Sequence, residues 1–253
     1  MNTALRWVSF AFLLGVPFGS AQVLRPAIDI PEAEAAEHRI GARGPLYTNM
    51  GGEHFAVAFE VVVGTDGKVL CSETGPVFVS DLTLLCETWQ YRPFLRDGDP
   101  VRVKLRESIA ILPMHERPEV HVVFPEVQDW SSLRISLNRS GCYGTCSTYE
   151  IEIHGDGTVL YNGKAYVKPL GKRTRKISRA SLVKLVDAFR KADYFSLADG
   201  YVSGITDSPT YLSSISFDGR FKSVLDYVGR SAGMPPGVSD VEAAIDRLSG
   251  VFK

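Results

Sequence analysis

Three Asp-Gly pairs, at Asp66-Gly67, Asp156-Gly157 and Asp218-Gly219, each stand between two stretches suited to strands, and this restricts the chain to folds built on antiparallel hairpins. Such pairs tolerate the positive φ of a two-residue turn whose twist matches the strands it joins. Before the first pair, Phe55, Val57, Phe59, Val61 and Val63 alternate with Ala56, Ala58, Glu60 and Val62. That period of two lays one face of a strand on a core, and residues 68–72 should return beside it. Around the second pair, Tyr149, Ile151 and Ile153 alternate with Glu150, Glu152 and His154 before Thr158-Val159-Leu160-Tyr161. The third joins 211–217 to 221–227. Leu133, Ile135 and Leu137 form a further strand, and residues 101–112 another, with Arg102, Lys104 and Arg106 on its solvent side.

Helical spacing falls between these strands. Residues 31–40 are rich in Ala and Glu and suit a short surface helix. Leu82, Leu85, Cys86 and Trp89 make an inward stripe from Ser80 onward, and Leu182, Leu185, Val186 and Phe189 make another behind a Ser178 cap. Near the end, Ser239 and Glu242 read as a capping box, with Val238 as the staple and Val241, Ile245 and Leu248 buried.

At about 100 to 150 residues per domain, 253 residues predict two cores. The reading is therefore α+β, with two small domains, each an antiparallel sheet packed with helices. The first covers residues 22–118 and the second 131–253. The linker at 119–130 belongs to a stretch punctuated by Pro113, Pro118 and Pro125. Residues 22–125 hold 10 basic and 15 acidic side chains, net −5, while 126–253 hold 17 and 14, net +3. The halves differ in sign, whereas the whole chain, with 28 basic against 29 acidic residues, lacks the concentrated positive surface a nucleic-acid binder needs.

Arg6, the apolar run from Trp7 to Val16, Pro17 and the small residues Gly19-Ser20-Ala21 have the order of a secretory signal peptide over residues 1–21, cut before Gln22. The run is shorter than the about 20 apolar residues a bilayer span takes. The mature chain is thus expected to be exported without a stable membrane span, periplasmic where an outer membrane exists and otherwise secreted. Oxidising surroundings favour pairing of the cysteines, Cys71 with Cys86 and Cys142 with Cys146, each inside one half.

Two resemblances follow. Glu87-Thr88-Trp89-Gln90-Tyr91-Arg92-Pro93-Phe94 and Asp97-Gly98-Asp99-Pro100-Val101, set after a hairpin and a helix, resemble the TonB carboxy-terminal domain family over about residues 50–112. The resemblance implies a small α+β domain with an exposed sheet edge able to accept a strand. No long Pro-rich spacer precedes it, which sets coupling to an inner-membrane motor aside unless residues 7–16 stay as an anchor. Arg139, Cys142-Tyr143-Gly144-Thr145-Cys146, Tyr149, Gly155-Asp156-Gly157 and Asp207-Ser208-Pro209 resemble an uncharacterised family of bacterial exported domains over about residues 131–250. Ser147 stands where that family commonly has proline. This resemblance implies architecture and no activity.

Candidate sites are few. The Cys142–Cys146 loop reads as a structural bridge, since redox enzymes place Cys-x-x-Cys at a helix start; a thiol-disulfide enzyme is the alternative. His38, His54, His115, His121 and His154 form no ligand-spaced cluster, so neither a metal nor another cofactor is expected. Glu150 and Glu152 could mimic a carboxylate pair but read as a solvated strand edge. Lys164, Lys168, Lys172, Arg173, Arg175, Lys176 and Arg179, with no acidic residue among them, suit phosphorylated lipid, acidic glycan or the acidic first domain, reinforced by Tyr161 and Tyr166. The chain reads as a non-enzymatic binding module whose partner is an envelope protein or an acidic envelope component.

Overall fold

A computed structural model describes residues 26–41, 43–74 and 82–251. The leader read at residues 1–21 and the helix start at Ser80 lie outside them. The first half runs β1 (Ile28–Asp29), α1 (Glu32–His38), β2 (Arg39–Ile40), β3 (Leu46–Thr48), the hairpin β4 (Phe55–Val63) and β5 (Val69–Thr74), then α2 (Leu82–Glu87). The short strands β6 (Gln90–Tyr91), β7 (Leu95–Arg96) and β8 (Asp99–Pro100) lead into the long β9 (Val103–Pro113). After residues 117–129, which hold neither helix nor strand, come β10 (Arg134–Arg139), β11 (Thr148–His154), β12 (Thr158–Ala165), β13 (Gly171–Lys176) and α3 (Arg179–Lys191). The chain closes through β14 (Gly200–Val202), β15 (Thr210–Phe217), β16 (Arg220–Tyr227) and α4 (Pro236–Ser249).

The three expected Asp-Gly hairpins form, as β4–β5, β11–β12 and β15–β16, each antiparallel, and Asp97-Gly98 turns a further short one between β7 and β8. The α+β class holds, but the two antiparallel sheets expected separately run together as one mixed sheet, in the order β13-β12-β11-β10-β15-β16-β14-β3-β9-β4-β5. The junction is β14, which pairs parallel with β16 on one side and parallel with β3 on the other. Strands of three residues carry no readable periodicity, so the sequence reading passes over both β3 and β14. Polar contacts reinforce the seam. Asp199 accepts from the Gly44 amide at 2.6 Å and from Lys222 Nζ at 2.6 Å, and Asn49 Oδ1 accepts from the Gly204 amide at 3.1 Å.

Leu46, Val202, Leu212 and Leu225 pack with Phe59, Val61, Leu105, Leu82 and Leu85, whereas Tyr47, Tyr201 and Val224 pack with Ile135, Ile151, Phe189 and Ile245. Neighbours on a strand point to opposite faces. The two cores therefore lie on opposite faces of the same sheet, with α2 over one and α3 and α4 over the other. One consequence decides where a site can be: among the described residues, the face of β10, β11 and β12 away from α3 and α4 has no helix above it, only α2 at its side.

Ser178 caps α3, its hydroxyl accepting from the Ser181 amide at 3.2 Å. The capping box expected at Ser239 is absent. The helix begins at Pro236 with Pro235 as its N-cap and no side-chain cap, because proline at the first position has its φ preset for a helix and no amide to satisfy. Ser239 and Glu242 consequently lie inside α4, and Glu242 turns inward. Among the described residues no helix is long and apolar enough to cross a membrane.

Cys71 bridges to Cys86 and ties β5, at one end of the sheet, to α2; Cys142 bridges to Cys146. Replacing Cys71 and Cys86 together with serine is expected to lower the unfolding free energy by about 3 kcal/mol, the loop-entropy value for 15 residues, measured by urea titration without reductant.

Candidate functional site

Two features meet on the bare face. The first is a groove of about 550 Å³. Its floor is the outward row of β10, β11 and β12, including Asn138, Glu150, Glu152 and Asn162, and its far wall is Leu84, Glu87 and Thr88 of α2 and the residue after it. The strand alternation that buries Leu137, Ile151 and Tyr161 against α3 and α4 turns these polar residues to the other side. Glu150 and Glu152 are thus not on a sheet edge, since β11 has β10 and β12 on its flanks. Glu150 is held by Lys164 and by Asn162, whose Nδ2 donates to Oε2 at 3.3 Å, and Glu152 accepts from the His154 ring at 2.7 Å. Glu87, from the first half, faces them. Partial burial, then the charge of Glu150, raise its carboxyl above the ordinary value, and Lys164 pulls it partly back. The sequence reading missed Glu87 as a site residue because nothing local marks it; it reaches the groove only through the joined sheet.

The second feature is β13, the terminal strand of the sheet. The structure sorts the basic cluster into two groups. Lys164 pairs with Glu150, Lys176 pairs with Asp156 at 2.7 Å, Arg175 donates to the Gly250 carbonyl at the end of α4, and Arg179 lies 3.4 Å over the Trp130 ring. The stacking answers the helix-dipole penalty of an arginine in a first turn. Lys176 and the Thr158 amide and hydroxyl hold the Asp156 carboxyl well below the usual range. Lys168, Lys172 and Arg173 have no carboxylate partner among the described residues. None of the cluster's ion pairs reaches the first half. Tyr166 is exposed beside them, but Tyr161 is not part of this surface: it is 2% exposed and its hydroxyl donates to the Pro169 carbonyl.

Two partly buried ionic clusters complete the inventory. Arg139 donates to Asp246 Oδ2 at 2.6 Å, Tyr149 donates to Asp246 Oδ1 at 2.6 Å, and the guanidinium lies 4.0 Å over the Tyr211 ring. The arginine and the tyrosine that flank the Cys142–Cys146 motif thus share one carboxylate of α4. Burial works against the Arg139 charge, but Asp246, Tyr149 and Glu242 outweigh it and raise its pKa. Glu242 is 3% exposed, and its Oε1 has no hydrogen-bond partner among the described residues. Burial first, then Asp226 and Asp246, push its pKa up to about 8 against the pull of Arg139. In the first half, Glu107 accepts from Arg39 Nε at 2.9 Å and from the Tyr91 hydroxyl at 2.9 Å, with Arg43 Nη1 also at 2.9 Å. Neither Glu107 nor Glu242 stands out in the sequence as a buried charge, since each falls on an inward position of its element without any local mark.

The Cys142–Cys146 bridge lies in the loop between β10 and β11, half-buried at both sulfur-bearing residues, and the chain enters a strand after it. It lacks the helix N-terminus that lowers a thiol pKa in redox enzymes.

Comparison with known proteins reaches the second half alone. No curated protein matches the chain. No TonB-like family is found, so the resemblance read over residues 50–112 rests on its sequence pattern. Residues 133–249 match a protein family described as a domain of unknown function (DUF6438), a region that takes in β10 to α4 and both partners of the Arg139–Asp246 pair.

Proposed function

We propose that the chain is an exported binding module of the cell envelope, two domains sharing one sheet, that engages an acidic partner through β13. The observation that carries this reading is the position of Lys172 and Arg173, which sit on a sheet-terminal strand without a carboxylate partner among the described residues. Charge on an edge strand discourages pairing with copies of itself while leaving its amides and carbonyls open to a strand of opposite charge. Two disulfides support an oxidising destination.

The test is binding to phosphatidylglycerol vesicles and to an acidic-polymer column at low salt. Replacing Lys168, Lys172 and Arg173 together with serine is expected to weaken retention by about a hundredfold, at roughly 1 kcal/mol per charge near an anionic surface. The melting temperature should stay unchanged, since none of the three holds an ion pair among the described residues. Retention equal to that of the parent chain removes β13 as the contact.

A further inference from the structure

The groove beside β13 has a chemistry of its own. Its carboxylates Glu87, Glu150 and Glu152 are only partly offset, by Lys172 on its rim and by Lys164 on Glu150, which leaves it mildly acidic, while Arg173, opposite the buried Tyr161, turns to the other face. Glu87 and the Asn138 amide line it without a hydrogen-bond partner among the described residues. Thr174 adds a hydroxyl, and Leu84 and Leu160 supply apolar surface, with Leu212 almost wholly buried beneath them. A volume of about 550 Å³ lies within the range of small-ligand sites.

We infer that this groove binds a neutral, hydroxyl-rich ligand, a short oligosaccharide. A sugar hydroxyl both donates and accepts, and adjacent hydroxyls are matched by a carboxylate that accepts two bonds and an amide that donates and accepts side by side. Glu87 supplies the first of those groups from the wall and Asn138 the second from the floor. The aliphatic walls meet the C–H faces of the rings, and the open rim at Lys172 and Thr174 lets a chain of sugars continue past the floor. An anionic ligand would meet three carboxylates here; a simple amine would leave the Asn138 amide and the leucine walls unused. The inference rests on Glu87 and Asn138 rather than on the proposed contact of β13 with acidic partners, although Lys172 borders both.

The experiment is calorimetric titration of the full chain with chitotetraose and with maltotetraose, up to about 10 mM, the range of weak sugar sites. One of the two should bind, and Asn138→Ala and Glu87→Ala should each weaken it about tenfold, the worth of one well-made hydrogen bond. Vesicle retention, read in parallel, separates the two readings, because Asn138→Ala should leave it unchanged. Absence of heat with both sugars overturns the inference, as does equal affinity in the two variants. Binding confined to a charged probe, spermidine or oligogalacturonate, overturns it equally.

Discussion

Replacing Arg139 with methionine is expected to cost about 3 kcal/mol of unfolding free energy, the lower end of the loss seen when one partner of a buried ion pair is removed, since this pair is partly buried. The guanidinium does three things at once. It pairs with Asp246, covers the Tyr211 ring and opposes the negative field on Glu242. Methionine recovers part of the packing and none of the charge, leaving Asp246 and Glu242 of α4 to face Asp226 alone. At pH 9, where Glu242 is ionised in the folded parent chain, a second substitution, Glu242→Gln, should restore part of the loss in the Arg139→Met background, because it removes a carboxylate whose charge Arg139 offsets. Additive effects in that double-mutant cycle would show that Arg139 and Glu242 do not interact.

Glu242 also makes stability depend on pH in a direction opposite to that of most carboxylates. Its pKa is about 8 in the folded chain against 4.5 as the ordinary value, so between those limits the folded state holds a proton that the unfolded state has released. Its contribution is fully favourable below about pH 4.5, falls as pH rises through that window, and is gone above about 8. At 1.36 kcal/mol per unit, the span is about 5 kcal/mol. Buried Asp226, shifted upward by burial, adds to the same slope. Glu242→Gln is expected to flatten the curve, matching the parent chain near pH 4 to 5 and exceeding it by about 3 to 5 kcal/mol at pH 9. Urea unfolding at both pH values measures it, and parallel curves for the two proteins would mean that Glu242 is ionised or solvated in the folded state.

The local elements were legible wherever a short-range rule decides the outcome. Asp-Gly turns, the alternation of Phe55 to Val63 and of Tyr149 to Ile153, and the Ser178 cap all form as their chemistry requires. The start of α4 was misread because two rules compete there, and Pro236 at the first turn prevails over the Ser239 and Glu242 pattern. Long-range arrangement was not legible. Nothing near Glu87 announces that it will face Glu150, and nothing in Gly200-Tyr201-Val202 announces a strand flanked on both sides. The basic cluster was legible as charge, while its division into anchored and unpaired members required the positions of Asp156, Gly250 and Trp130.

The seam at Gly200–Val202 has an implication for any protein built of the matched region without a preceding half. In this chain Leu46–Thr48 occupies the outer side of that run, and a Cβ on Gly200 would come within 2.7 Å of Leu46, so the fit is close. Take the guest away and three backbone rungs stand bare beside an apolar floor of Leu212 and Leu225, a vacancy that another molecule's strand, or a second copy, is shaped to fill.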